Sequence, residues 1–243
     1  MFALPSGCGK PLDTGPRPFV YRLASDPPSL DPIHTTDTSS ASVVFCMFEG
    51  LVDQDPATLE IVPVLASRWE ILDGGLSYVF HLKHGVKFHN GRVMTVEDIR
   101  WSFERCLTPA NRSERSWVLA PIRGATAMLE GKAARLEGFE TPDDSTVIIR
   151  LDQPFAPFLS YLSMECARVA AREGIQRDNF TPIGTGPYRF VEWNHDIRVR
   201  LEAFEDYHGE KAHIERVDFE VVPENGVALM KTVVGELDLV NET

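Results

Sequence analysis

Apolar positions change period several times along this chain, and each change marks an element. From Tyr78 to Lys83 the pattern alternates: Tyr78, Phe80 and Leu82 share one face, while Val79, His81 and Lys83 share the other, as the two-residue period of a strand requires. Gly74-Gly75 precedes this stretch, and Gly85 and Asn90-Gly91 follow it, each marking a turn. Downstream the period lengthens. Val96, Ile99, Phe103 and Cys106 recur at three- and four-residue spacing, which predicts a helix. Thr95 and Asp98 stand where a capping box starts one. Upstream, Val44, Met47, Phe48 and Leu51 form a second stripe behind the polar run Thr35 to Ser40, whose side chains suit a helix N-terminus. Residues 60–69 read as a helix-like stretch ending in Trp69.

The remaining elements follow by the same reasoning. Residues 1–17 are rich in Gly and Pro without periodicity and read as a tether. A short strand begins near Phe19, and Pro27, Pro28 and Pro32 then hold an extended path. A polar loop, Asn111 to Ser116, leads to Trp117. Asp143-Asp144-Ser145 is a turn before a strand from Thr146 to Leu151. Phe158-Leu159 opens a helical turn. Residues 181–193 turn sharply and extend. Two strands with one wet face follow, carried by Ile197, Val199, Leu201 and Ala203 and by Val217, Phe219 and Val221. A short helix from Gly226 to Val234 stops at Gly235, and Leu237 to Val240 begins a strand. The whole reads as a mixed α+β chain without internal repeats.

The wording of these segments resembles a known family. Trp69-Glu70, Gly74, Phe80, Leu82-Lys83, Gly85-Val86-Lys87-Phe88-His89, Gly91, Thr95, Glu97-Asp98 and Phe103 match as they stand. So do Gly184-Thr185-Gly186-Pro187-Tyr188-Arg189-Phe190, Trp193, Tyr207, Gly209, Lys211 and Gly235-Glu236-Leu237-Asp238, although Phe204 or Glu205 stands where the pattern has Asn. The pattern is similar to that of the family 5 extracellular solute-binding proteins, the oligopeptide, dipeptide and nickel receptors of ABC importers, over about residues 19–240. The resemblance implies an α/β fold: a periplasmic binding protein-like type II lobe with an inserted hairpin-rich subdomain. Residues 18–50 and 180–243 would form lobe I, and residues 51–179 the insertion. Family members run considerably longer, so the second lobe is expected to be missing here. The last strand would then leave open backbone edges and an exposed apolar face.

Composition narrows the partners. The formal charge of −12 disfavours nucleic acid and anionic lipid, both of which select a basic face. No apolar run reaches the 18 or so residues of a membrane helix. The four cysteines, Cys8, Cys46, Cys106 and Cys166, have no CxxC spacing, which removes the usual zinc and thioredoxin patterns. Cys46 and Cys106 fall on apolar helix faces and read as small buried hydrophobes. Cys8, in Leu4-Pro5-Ser6-Gly7-Cys8-Gly9, resembles a lipoprotein cleavage site. Only Met1 to Gly7 precede it, so a clipped signal is expected, with Cys8 lipidated.

The candidate chemistry is sparse. His81, His84 and His89 are the residues a zinc site or a metal-dependent hydrolase would use, but a turn separates the first from the last. Gly184-Thr185-Gly186 lacks the third glycine and the following helix of a phosphate loop. No GxSxG, HExxH or Cys-His nucleophile pattern is present. By resemblance, Thr36, Asp37 and Thr38 offer backbone to an extended ligand by strand addition. Trp117 falls where nickel-chelate receptors place a cleft tryptophan, with a core anchor as the alternative. Arg168 faces a ligand carboxylate or a surface salt bridge. Tyr188 and Trp193 read as core. The implied function is the substrate-binding component of an ABC transporter. It would capture a peptide-like solute outside the cytoplasm, periplasmic or lipid-anchored at the cell surface, and dock on a membrane permease. It would use no cofactor or metal and catalyse nothing. The alternatives are a nickel or metal-chelate receptor of the same family, or a hydrolase using the three histidines.

Overall fold

Two four-stranded sheets organise the chain. The computed structural model describes residues 17–176 and 179–240. In chain order the elements are β1 (Phe19–Leu23), α1 (Thr38–Met47), β2 (Val52–Gln54), β3 (Ile61–Pro63), β4 (Ala66–Leu72), β5 (Ser77–Leu82) and α2 (Val96–Leu107). They continue with α3 (Ala125–Leu129), β6 (Phe139–Asp143), β7 (Thr146–Arg150), α4 (Phe158–Leu162), β8 (Ile175–Gln176) and β9 (Asn179–Phe180). The last are β10 (Tyr188–Asn194), β11 (Arg198–Ala203), β12 (Arg216–Val221) and α5 (Asn225–Val233). Cys8, and all of the expected tether except Arg17, lie outside the described residues.

The first sheet has the order β1-β12-β11-β10. Its β1 and β12 run parallel, with Phe19 opposite Val217 and Leu23 opposite Val221. A parallel pair needs a long crossover, and here nearly the whole chain supplies it. Helix α1 covers this sheet: its Val43, Val44 and Met47, with Phe48 just after it, pack with Val199, Leu201, Val217 and Phe219. The second sheet, β4-β5-β7-β6, is antiparallel throughout. Tyr78, Phe80 and Leu82 of β5 point into its core, with Ile99, Phe103 and Cys106 of α2. Burying a side chain of this size contributes about 2 kcal/mol, so these two stripes hold the layer together.

Local chemistry sets the boundaries. The capping box is formed: the Asp98 carboxylate accepts from Thr95 N–H at 2.8 Å, and Thr95 begins α2. Asp37 starts α1 by accepting from Ser40 N–H at 2.9 Å. The turn Gly184-Thr185-Gly186 passes directly under the end of α1. A Cβ at Gly184 would sit 2.0 Å from the Met47 carbonyl oxygen, and one at Gly186 2.7 Å from that of Cys46. No residue with a side chain fits that approach. The turn then feeds β10.

Three expectations change. Residues 60–69 are not helical: they form β3 and most of β4, with Trp69 opposite Phe80. Pro63 removes a donor that a helix would need, and Val64 and Ala66 donate instead to the Leu51 carbonyl. Helix α1 ends at Met47, so Phe48 and Leu51 are buried from the segment after it. Beyond Leu237, among the described residues, one bridge forms, Tyr21 to Leu239 in parallel, rather than a strand. Exposed apolar side chains lie instead on α5, where Val227, Leu229, Met230 and Val233 are open and only Ala228 is buried.

Candidate binding face

Three separated segments that carry the candidate residues meet at one place. The 3-10 turn Glu165–Ala167 packs against the turn Pro32–His34, against α1 and against the turn Ser116–Leu119. The loop 36–38 lies between the first two. Arg115 ties it down, donating to the Thr36 carbonyl at 3.0 Å, and Trp117 follows two residues later.

Thr36 and Thr38 are exposed and Asp37 half-buried. The backbone N–H groups of Thr36 and Asp37 have no partner among the described residues. The second carboxylate oxygen of Asp37 and the Ser40 hydroxyl are buried and also unpartnered there. Buried polar atoms left open cost stability unless something meets them. Helix geometry aligns Thr38, Ser42 and Phe45 on one face of α1, and Phe45 is 41% exposed.

Trp117 is 47% exposed, so it is not a core anchor. Its ring meets Tyr161 edge-on, centroids 5.3 Å apart, and Phe155 supports Tyr161 at 4.9 Å. Arg168 is 2% exposed, which rules out the surface salt bridge. It donates to the Phe48 carbonyl at 2.6 Å and to the Asp53 carboxylate at 2.7 Å. Its guanidinium carbon lies 3.9 Å from the centre of the Phe45 ring. Burial pushes the guanidinium pKa down, and the Asp53 charge opposes that shift. Arg168 therefore fixes the exposed Phe45, by a cation–π contact, while its Nε stays buried without a partner among the described residues.

Beside this face sits a buried polar cluster that the sequence did not announce. The Glu49 carboxylate accepts from Thr185 Oγ1 at 2.8 Å and from the Tyr207 hydroxyl at 2.7 Å, and lies 2.9 Å from His208 Nε2. Burial, then the facing Glu49 charge, pushes the Tyr207 phenol up, so it donates as a neutral group. The only sequence signal was a carboxylate set between the apolar Phe48 and Leu51.

The three histidines are not gathered. His81 Nε2 lies 3.3 Å from Glu70, His84 is exposed, and His89 holds the glycine turn. Gly184 N–H donates to His89 Nδ1 at 3.2 Å, and the ring's Nε2 lies 3.1 Å from the Gly186 carbonyl. The first bond makes Nδ1 the acceptor, so Nε2 carries the proton and the ring is neutral. Burial lowers its pKa from 6.5 to about 4. No cluster of three or more His, Cys, Asp or Glu suited to a metal occurs among the described residues. Tyr188 and Trp193 are half-buried against the α1 core.

A cavity of about 20 Å³ touches Thr38, Ser39 and Ser42. It is far smaller than a ligand pocket of 300 Å³ or more. Thr36, Thr38 and Trp117 thus present an open wall rather than an enclosed pocket, with Arg168 buried behind it.

The chain is similar to known proteins in both sequence and fold. The model of the bacterial extracellular solute-binding proteins, family 5 Middle, matches residues 60–243. The chain is 34% identical to the di/tripeptide-binding protein 4 of Pseudomonas aeruginosa (strain UCBPP-PA14), over 83% of this chain and 39% of that protein. It is 30% identical to the heme-binding protein A of Haemophilus influenzae (strain ATCC 51907 / DSM 11121 / KW20 / Rd), over 91% of this chain and 43% of that protein. In structure it is similar to the ABC transporter-associated periplasmic binding protein DppA from Helicobacter pylori in complex with peptide STSA. There the TM-score is 0.81 at 27% identity, covering 92% of this chain and 46% of that one. The chain therefore spans less than half the length of the relatives it matches.

Proposed function

Since this chain belongs to the family 5 bacterial extracellular solute-binding proteins, we propose that it is the substrate-binding component of an ABC importer. Its cargo is a peptide-like solute, and its place of work is the periplasm or cell surface. It makes and breaks no bond. Residues 18–50 and 180–243 act as lobe I, with residues 51–179 as its inserted subdomain. A second lobe would close over the ligand about a hinge, and a membrane permease would receive the closed form.

The observation that carries this reading is the open wall at the loop 36–38. The backbone N–H groups of Thr36 and Asp37 are unpaired among the described residues, and the flanking segments carry two exposed rings, Phe45 on α1 and Trp117 two residues after Arg115. An extended peptide offers carbonyls to such N–H groups, as in strand addition, and side chains to the aromatic walls. Relatives named for di- and tripeptides support the cargo class. The heme-binding relative makes cargo identity a property of details within the family.

Isothermal titration against dipeptides, tripeptides, hemin and a nickel chelate tests the reading. Saturable heat with peptides, absent with hemin and the chelate, is expected. Binding of hemin or chelate with no peptide response contradicts the cargo class.

A further inference from the structure

Cys106 and Cys166 lie 60 positions apart in the chain, yet stand on elements that pack together. Cys106 is in the last turn of α2, and Cys166 is in the 3-10 turn Glu165–Ala167 that packs against it. Both are buried, at 1% and 0% exposure. One loop touches both sulfurs: Ser113 Oγ is 3.5 Å from Cys106 Sγ, and the Arg115 carbonyl is 3.4 Å from Cys166 Sγ. Two cysteines brought side by side in a chain that crosses an oxidising compartment form a bridge.

We infer that Cys106 and Cys166 close to a disulfide when the chain meets a dithiol–disulfide exchange donor. One cysteine thiolate attacks the donor disulfide and releases one donor thiol. The second attacks the resulting mixed disulfide and releases the other. Two protein thiols are oxidised to one disulfide, and the donor disulfide is reduced to a dithiol. The exchange takes place before the core shuts over the sulfurs. The bridge fastens α2 to the turn that leads into Arg168, and so stiffens the segment beneath Trp117 and Phe45. It also closes a loop that holds α3, β6, β7 and α4, which removes freedom from the unfolded chain. The compartment rests on the function proposed above; the pairing rests on the geometry alone.

The test is a non-reducing tryptic map of the full chain, prepared in two ways. One sample is refolded in a buffer of oxidised and reduced glutathione. The other is secreted by cells. In the refolded sample we expect the peptide 106–112 joined to the peptide 151–168, with Cys46 recovered as a free thiol. Reduction then lowers Tm by about 5–15 °C and leaves Tm of a Cys106→Ala/Cys166→Ala variant unmoved. Recovery of both peptides singly, alkylated without reductant, overturns the inference. So does a link from either cysteine to Cys46. A link formed in the refolded sample but absent from the secreted one overturns the inference for the exported protein and leaves the proposed function untouched.

Discussion

His89 links acid stability to the turn that shapes the chain. Its neutral ring accepts from Gly184 N–H and donates to the Gly186 carbonyl, and burial lowers its pKa from 6.5 to about 4. The unfolded chain takes up a proton near pH 6.5, which the folded chain refuses until about pH 4. The unfolded state therefore binds more protons throughout that window, so stability rises with pH there and is lost on acidification. The slope reaches at most about 1.4 kcal/mol per pH unit. Between pH 7 and pH 5 the loss is about 2 kcal/mol, and the full effect below pH 4 is about 3 kcal/mol. His89→Gln provides the control, because a glutamine amide offers the same acceptor and donor without titrating. Urea unfolding of both proteins at pH 7, 6 and 5 isolates the histidine, since the other carboxylates and histidines are common to both. The stability of the native protein relative to the variant is expected to fall by about 2 kcal/mol over this range. A gap that stays constant within about 0.5 kcal/mol, or a His89 ring signal in NMR that titrates near pH 6.5, refutes the reasoning.

Three further outcomes follow from the same contacts. Trp117→Ala lowers peptide affinity about 30-fold, the scale of an exposed aromatic anchor, while thermal melting stays within a few degrees. A change in Tm without a change in affinity would reassign the ring to packing. Arg168→Met removes the donor to the Phe48 carbonyl and to Asp53 Oδ2, leaving Asp53 only Gln54 N–H, and destabilises by about 2–4 kcal/mol in denaturant titration. The lower end applies because Asp53 is partly exposed. Gly184→Ala drives a Cβ into the Met47 carbonyl and costs about 3 kcal/mol by the same assay; wild-type stability would remove the argument for a glycine-only approach.

Local rules read well in this sequence wherever the information was local. The Thr95–Asp98 cap, the alternation of β5 and the turns at Gly74 and Gly85 each depend on residues a few positions apart, and each appears as expected. The segment 60–69 misled because β4 exposes Ser67, Arg68 and Glu70, with Trp69 half-buried, so its wet positions break the two-residue period. Its pairing with β5 is a tertiary fact. The site shows the same limit more sharply. Arg168 looked like a surface cation because its partners, Phe45, Phe48 and Asp53, stand more than a hundred positions away. Glu49 gave almost no signal, since the groups that satisfy it arrive from Thr185, Tyr207 and His208. The resemblance supplied the loop 36–38 and Trp117. Only the folded chain brings those segments together around the turn Glu165–Ala167.

The most direct test of a solute-capturing face is amide and indole NMR of the labelled protein, titrated with a tripeptide. Saturable shifts at the Thr36, Asp37 and Thr38 amides and the Trp117 indole are predicted, with His81, His84 and the α5 residues unmoved. Shifts confined to the histidines on adding zinc, with none in the loop at any tripeptide concentration, would contradict the account.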